Sequence, residues 1–416
     1  MLRARAASRF IALSAGLLFF PSLSLGQLVL GQYENEAPLG TWNIFGLVTA
    51  ANLGRGETMF TSPSDCSVAL LNPALLVELS GFSATLSGST SSAALYRYSV
   101  VNTGVLSSST NLTMGVVALD FAGVSLSYSG WAVAASASLA ENYDRPQAYV
   151  EQSGPGFLAY NFDFRQEGFL RNFNLSLARQ FGRAFRLGLG FNFVRGKLER
   201  RIRESFVGIS ESIVIADEKT QDFSGFYLNV GIASGLTDKL DVGLVFRTPY
   251  FRQAKSSSGL HYSAPLGGTD IRIEAESSDR ARQPWIIGAG AGYKVSARLR
   301  VLSDVTFFEW SKYEVEYFGE TAERNFRDTF KVGLGAEYDL AVRLLKRDAA
   351  ILLRAGVNYD PQPMREPRSA YTHFSAGAGL RWGMLLLDLG GSVGRESGSG
   401  NRLEVKRLMF SAGLRL

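Results

Sequence analysis

Few residues in this sequence could carry acid–base, nucleophilic or metal chemistry. The 416 residues include two histidines, His261 and His373, and one cysteine, Cys66. A single cysteine cannot form an internal disulfide, and one cysteine with two histidines does not make a usual zinc site. The sequence therefore predicts no metal site and no cofactor.

The segment Thr372–Ser375 brings a nucleophile and a base close together. His373 and Ser375 are two residues apart, so they would share one face of a strand. A Ser–His hydrolase also needs an acidic residue that orients the histidine, and the sequence places none beside them. We therefore expect no catalytic residues and no enzyme, and a barrel hydrolase stays an alternative that requires such a triad at the rim.

Charges of both signs recur at alternate positions of apolar segments. These positions, inferred from the alternation, are Asp241, Arg247, Asp304, Lys331, Glu337, Arg354, Asp388 and Arg407. They predict ion pairs inside a barrel, although an arginine could instead bind a carboxylate head group, with Arg354 and Arg407 as candidates. Phe307, Phe308 and Trp310 are candidates for contacting an apolar tail. The net charge of +5 is scattered and gives no sign of a nucleic-acid partner.

The N-terminus predicts a signal peptide over residues 1–26. Three arginines precede the apolar run Phe10–Phe20, Pro21 breaks it, and Ser24–Gly26 supplies small residues before cleavage at Gln27. The run is shorter than the ~20 residues that span a bilayer. No later segment is long and apolar enough for a transmembrane helix, so we expect an exported chain.

Period-two alternation in segments of about ten residues dominates the remaining chain. In Arg402–Leu416, Leu408 and Phe410 fall on one face, and Arg407 and Ser411 fall on the other. The polar face is rich in glycine, which together with the export signal favours an all-β transmembrane barrel over a soluble sandwich. We expect fourteen antiparallel strands, near 81–99, 112–121, 124–140, 166–181, 185–202, 222–236, 239–254, 285–295, 299–315, 327–339, 349–360, 372–382, 384–395 and 403–415.

The links between these strands are expected to alternate between short and long. The short ones would be periplasmic turns: Ala122-Gly123, Gly182–Ala184, Leu236–Lys239, Ser296–Leu299 and Gly383, with Leu340–Ala349 as a longer exception. The long ones would be extracellular loops: Tyr143–Arg165, Glu204–Gln221, Phe251–Pro284, Glu316–Asn325, Pro361–Tyr371 and Glu396–Asn401. Both termini would then lie in the periplasm.

Residues 27–80 lack sustained alternation and do not fit the barrel wall. A barrel of fourteen strands is too wide to be filled by its own side chains. We therefore expect residues 27–80 to form an N-terminal hatch that plugs the lumen, and residues 81–416 to form the transmembrane barrel.

The stretch LGRGETMFTSPSDCSVALLNPALL, Leu53–Leu76, resembles the N-terminal hatch of the FadL/TodX family of outer-membrane hydrocarbon transporters. The residues that carry the resemblance are Gly54, Asp65, Ser67, Asn72, Pro73 and Ala74. Two further stretches, DVTFFEWSKYEV (Asp304–Val315) and LRAGVNYDPQP (Leu353–Pro363), are similar to later strands of the family.

The resemblance implies a monomeric outer-membrane barrel for passive uptake of hydrophobic molecules, with long-chain fatty acids the best-known cargo. Its other partners would be outer-membrane lipids and the barrel assembly machinery. The ligand would leave sideways through a kink in the third strand, where Gly130 and Trp131 are the candidate lateral gate. An ordinary glycine on the lumen face is the alternative for Gly130. The alternative function is a barrel of the same shape that acts as a structural, interaction or secretion-associated surface protein.

Overall fold

The computed structural model describes residues 49–97, 111–154, 157–182, 184–208, 212–264, 268–317, 320–323, 325–366, 368–398 and 404–416. The predicted signal peptide and residues 27–48 of the predicted hatch lie outside these ranges. In the described part of the chain, no helix is long and apolar enough to cross a membrane.

The first described residues form a compact stretch of short helices, Thr49–Ser80, which we call the inner segment. It contains helix α1 (Ala50–Gly54), helix α2 (Val68–Leu71) and a 3-10 helix (Pro73–Glu78). Asn72 ends α2 and caps the 3-10 helix, because its side chain accepts a hydrogen bond from the Ala74 N–H at 3.2 Å. Pro73 then fills the first helical position, where its missing N–H costs nothing.

Strands make up nearly all of the remaining described chain. They are β1 Gly81–Arg97, β2 Asn111–Tyr128, β3 Trp131–Asn142, β4 Arg145–Gly154, β5 Phe157–Phe181, β6 Phe185–Gly208, β7 Ser212–Gly235, β8 Leu240–Arg247, β9 Tyr250–Ala264, β10 Thr269–Gln283, β11 Ile286–Lys294, β12 Leu299–Phe308, β13 Glu314–Tyr317, β14 Glu320–Glu323, β15 Thr329–Leu344, β16 Arg347–Pro361, β17 Ala370–Trp382, β18 Leu385–Ser397 and β19 Glu404–Arg415.

Fourteen of these strands close an antiparallel barrel. Their order around the wall is β1, β2, β3, β5, β6, β7, β8, β11, β12, β15, β16, β17, β18 and β19, and β19 pairs back with β1. The others extend the end opposite the short turns. The predicted fold class and strand number are confirmed.

The two faces of the wall differ as the alternation predicts. On β19, Leu408 and Phe410 are exposed on the outside, whereas Met409 and Ser411 are buried on the inside. The pattern repeats around the barrel, so the outer surface carries a belt of exposed Leu, Val and Phe side chains.

The predicted turn at Ala122-Gly123 is wrong. β2 continues through these residues, and the turn is Ser129-Gly130, with φ of 51° and 76°. Gly123 lies inside the strand, and it is a glycine because a Cβ there would come within 2.6 Å of the Phe121 ring. Gly130 therefore lies in the turn that joins β2 and β3. The predicted kink inside the third strand at Gly130 and Trp131, the candidate lateral gate, is not present there.

The predicted long link Leu340–Ala349 is also wrong. β15 runs to Leu344, and β16 starts at Arg347, so Leu345 and Lys346 form a tight turn with φ of 48° and 64°. Neither is a typical residue for a left-handed conformation, so the sequence lacks the usual turn signal here.

Several predicted extracellular loops contain strands. Tyr143–Arg165 holds β4 and the start of β5, and Phe251–Pro284 holds most of β9 and all of β10, which pair with one another. Pro249 and Pro284 fall in the breaks between β8 and β9 and between β10 and β11, where no ladder donor is required. The barrel wall is therefore much taller on this side than the predicted strands.

Candidate functional site: the inner segment and the separation of β2 and β3

The inner segment lies within the ring of strands and is hydrogen-bonded to several sides of the wall. Ser411 of β19 accepts from the Ala50 N–H at 2.8 Å, and Asp304 of β12 accepts from the Met59 and Phe60 N–H groups at 2.5 and 3.0 Å. Further contacts come from Thr85, Ser176, Asn229, Arg247, Arg300, Ser375 and Arg415. Backbone groups that would otherwise be buried without partners are satisfied in this way.

Hydrogen bonds also hold the Asn-Pro-Ala motif, Asn72–Ala74, against the wall. The Asn72 amide donates to the Phe60 carbonyl at 2.8 Å and to the Ile232 carbonyl of β7 at 3.2 Å, so it joins two parts of the inner segment to the wall. Asp65 accepts from the Ser67 N–H at 2.9 Å and precedes α2. The motif residues thus form turns and anchors, and the second carboxylate oxygen of Asp65 is buried without a hydrogen-bond partner.

Inward-facing glycines of the wall make room for this backbone. A Cβ on Gly188 would lie 2.3 Å from the Ala74 nitrogen, and one on Gly356 would lie 2.2 Å from the Gly56 nitrogen. The glycine-rich polar face noted in the sequence therefore reflects close packing between wall and inner segment.

An ion-pair chain joins Arg55, which directly follows α1, to strands β15, β16 and β18. The Arg354 guanidinium pairs with Glu337 at 2.6 Å and with Asp388 at 2.5 Å, and Glu337 also lies 3.5 Å from the fully buried Arg55. Arg55 in addition donates to Ser62 at 2.7 Å. The two carboxylates that pair with Arg354 favour a structural role for it, and its role as a head-group ligand stays a prediction.

A second buried pair joins the inner segment to β15. The carboxylate of Glu57 contacts the Lys331 ammonium, and Asp360 lies 3.9 Å from the same ammonium. Burial alone would raise the pKa of Glu57, but the Lys331 charge lowers that pKa to about 2. Glu57 therefore stays ionised at any ordinary pH.

The ladder between β2 and β3 ends partway along the two strands. The two strands pair from Tyr128 and Trp131 at the turn up to Phe121 and Ser138, and their described ladder goes no further. Among the described residues above that point, β2 pairs with β1 as far as Asn111, and β3 pairs with β5.

A bulge in each strand accompanies this separation. Asp120 is an extra residue in β2, between the residues opposite Ser87 and Gly88. Ala140 is an extra residue in β3, where the register with β5 shifts. Bulges bend strands and increase their twist, which explains why the two strands diverge here.

An apolar cluster reaches from the inner segment to this separation. It contains Ala50, Leu53, Met59, Phe60, Cys66, Leu70, Leu71, Phe121, Leu139, Val245 and Met409. Phe121 and Leu139 belong to the two diverging strands, so the apolar interior of the barrel ends at the point where the wall opens.

Two charged groups face the interior near the same point. Asp120 is fully buried, and the Ser89 hydroxyl lies beside its carboxylate. The Arg407 guanidinium on β19 attracts this carboxylate, but its buried Nε has no hydrogen-bond partner and it forms no ion pair in the described structure. Of the two predicted head-group arginines, only Arg354 forms ion pairs in the described structure, and only Arg407 has a buried Nε without a hydrogen-bond partner.

On the outer face, a β5 side chain spans the separation. Arg171 donates from Nη1 to the Leu119 carbonyl of β2 at 2.8 Å, and its guanidinium lies 5.2 Å from the centre of the Phe169 ring. Leu119 lies just above the last β2–β3 pair. The Arg171 side chain therefore donates to a β2 carbonyl that has no partner on β3.

The predicted aromatic residues do not form one group. Phe307 contacts the rings of Trp285 and Phe330 at 5.0 and 4.8 Å in the outer aromatic belt. Phe308 and Trp310 stack at 6.1 Å and belong to a buried cluster near the outer end. Phe308 and Trp310 are therefore buried together, whereas Phe307 lies among the aromatic side chains of the outer belt.

The residues of the possible hydrolase motif have structural partners. Ser375 accepts from the Gly56 N–H at 3.0 Å and donates to the Gly356 carbonyl at 3.3 Å, and His373 is buried beside the Tyr371 ring. No hydrogen bond joins Ser375 to His373 in the described structure.

Sequence reasoning missed Asp120, Leu139 and Arg171. Their importance depends on where β2 and β3 stop pairing, and the misplaced turn moved the whole register. An acidic residue inside the apolar run of β2 and an arginine between Phe169 and Phe173 were the available signals.

An antiparallel barrel with an apolar outer belt, a polar wall lining and an internal N-terminal segment defines an outer-membrane channel. The family described as "Outer membrane protein transport protein (OMPP1/FadL/TodX)" matches residues 47–390. The chain belongs to this family of outer-membrane hydrocarbon channels, which are transport proteins rather than enzymes. The predicted resemblance and outer-membrane location are confirmed.

Several solved structures share the fold of this chain. A Pseudomonas aeruginosa FadL homologue has 16% identity and a TM-score of 0.61, covering 91% of this chain and 99% of its own. The Ralstonia pickettii toluene transporter TbuX has 13% identity and a TM-score of 0.59, covering 89% and 99%. The P. putida toluene transporter TodX has 12% identity and a TM-score of 0.62, covering 89% and 99%. No curated protein matches the sequence.

Proposed function

We propose that this protein takes up hydrophobic small molecules passively across the outer membrane, with long-chain fatty acids as the principal cargo. The inner segment acts as the hatch that closes the lumen, and the ligand leaves sideways between β2 and β3. The separation of these strands above Phe121 and Ser138 is the observation that carries the proposal.

Physical chemistry favours such a route. Each buried CH₂ of an alkyl chain contributes about 0.8 kcal/mol, so an apolar passage is far better than a watery pore. The buried cluster that ends at Phe121 and Leu139 offers this surface next to the opening. A lateral exit also delivers the tail directly into the bilayer.

Arg407 supports a carboxylate-bearing cargo over a plain hydrocarbon. Its guanidinium lies in the interior without an ion pair, whereas Arg354 is neutralised by two carboxylates. An incoming fatty acid carboxylate would supply the missing acceptor.

Binding of labelled fatty acids to the refolded full-length barrel tests the proposal. We expect saturable binding that tightens with chain length, and Arg407→Gln should weaken fatty acid binding by about tenfold while leaving toluene binding unchanged. Arg381→Gln is the matched control, because Arg381 pairs with Asp339 in an exposed ion pair.

Two results would separate the alternatives. Binding of toluene but not of fatty acids would retain a hydrocarbon channel and reject the carboxylate cargo. A barrel that binds neither class at any chain length would reject transport and favour a structural or interaction role, for which the ion-paired interior is equally suitable.

A further inference from the structure

Two arginines face each other on the outer surface of the wall, next to the opening. Arg171 of β5 is directly opposite Arg195 of β6 in the antiparallel register. Both point outward, because Phe169 and Phe173 beside Arg171 are exposed while Leu170 and Asn172 between them are buried. Directly opposite residues have Cβ atoms about 5 Å apart, and like charges at that distance destabilise the pair.

No acidic side chain relieves this repulsion in the described structure. Arg171 donates one N–H to the Leu119 carbonyl and lies against the Phe169 ring. Arg195 has no ion pair or hydrogen bond in the described structure. The other outward arginine pair on these strands, Arg165 and Arg201, differs because Asp163 and Glu218 lie 3.5 and 3.6 Å from them.

The pair sits at the upper border of the apolar belt. Towards the short turn, the outward positions of β5 and β6 are apolar, as in Phe173, Leu175 and Phe193, whose ring lies 5.1 Å from that of Phe226. Beyond the pair, Glu167, Lys197 and Glu199 make the same face charged. In outer-membrane barrels the short turns face the periplasm, so this border lies at the outer leaflet.

We propose that Arg171 and Arg195 form a binding site for a phosphorylated glycolipid of the outer leaflet. The phosphate bridges the two guanidinium groups, whose planar arrays of donors match phosphate geometry, and the acyl chains lie along the belt below. The head group would then flank the lateral opening that Arg171 spans. This site requires the outer-membrane location but not the transport activity proposed above.

Native mass spectrometry of the refolded full-length protein in non-ionic detergent tests the site. We expect diphosphorylated lipid A to bind at least about tenfold tighter than the same lipid after phosphatase treatment. The double variant Arg171→Gln/Arg195→Gln should lose that preference, and Arg171→Lys/Arg195→Lys should keep only part of it, because lysine retains the charge but not the planar donors.

Arg179→Gln is the control variant. Arg179 lies on the same strand and face, but at the opposite border of the belt, where it packs 4.4 Å from the Trp131 ring and is opposite Leu187. It should bind lipid A as the wild type does.

Three results would overturn the proposal. These are equal binding of phosphorylated and dephosphorylated lipid, unchanged binding by the double glutamine variant, and displacement of lipid A by inorganic phosphate at matching concentrations. The last would assign the arginines to free anions. If the double variant fails to refold, the lipid preference of the wild type alone decides the outcome.

Discussion

Single side chains determine how firmly the inner segment is held, and Cys66 provides a natural reporter. It is the one cysteine of the chain, it is buried, and burial raises the pKa of its thiol, so it should react slowly with maleimide. Glu57→Gln removes the carboxylate that contacts the buried Lys331 ammonium and leaves only Asp360 at 3.9 Å, which costs about 3 kcal/mol at a buried site. We expect Cys66 labelling to accelerate by about a hundredfold.

The exposed pair of Lys197 and Glu199 provides the comparison, since it lies far from the inner segment on the outer surface. Glu199→Gln should label at the wild-type rate. If Glu57→Gln labels no faster than this control, the ion pair does not hold the segment in place.

The same carboxylate predicts how the segment responds to acid. Because the folded-state pKa of Glu57 is about 2 and its ordinary value is 4.5, the pair stabilises the folded state fully above pH 4.5. This stabilisation is lost only as the pH falls towards about 2. Hydrogen exchange within residues 49–80, corrected for intrinsic rates, should therefore show equal protection at pH 8 and pH 5. A drop in protection within that range would contradict the assignment.

Among the strands, the divergence of β2 and β3 should control ligand exit. A short bifunctional crosslinker between Leu119→Cys and Arg171→Cys, in a Cys66→Ser background, would tie β2 to β5 across the opening. We expect fatty acid transfer into liposomes to fall at least tenfold while binding persists, because the route closes and the interior stays intact.

A crosslink in the paired part of the same strands controls for rigidity. Leu126 and Val133 are directly opposite each other, and both are exposed. Joining them should leave transfer unchanged. Equal transfer through both crosslinked barrels would show that ligands take another route.

The strands also show what a sequence can and cannot predict. Alternation predicted the barrel, its strand number and the faces of residues such as Leu408 and Ser411. Successive side chains of a strand face the lipid and the lumen in turn, so apolar and polar residues alternate along the sequence. The turn at Ser129-Gly130 was predicted at Ala122-Gly123 instead. Gly123 is a glycine because the Phe121 ring packs against it, and the sequence alone does not distinguish such a glycine from one in a turn. The separation at Phe121 depends on inter-strand register, which no single segment encodes.

The barrel and its inner segment differ in what they need from one another. Every wall ladder joins strands within Gly81–Arg415, so the ring can close without the segment. The segment has only short helices and depends on the wall for partners such as Asp304 and Arg247. We infer that the wall folds as the scaffold and that the segment orders against it.

Removing residues 27–80 from the mature chain should therefore give a barrel that refolds but conducts ions. The interior charges of Asp304, Lys331 and Glu337 would lose their contacts with the inner segment and become hydrated, and water would fill the lumen. Planar bilayer recordings should show steady single-channel conductance for the shortened protein and none for the full-length one. Heat-modified mobility in gels confirms that both have folded. Full-length protein that conducts as well as the shortened form would mean that the inner segment does not close the lumen, and the ligand would then have to cross a water-filled pore.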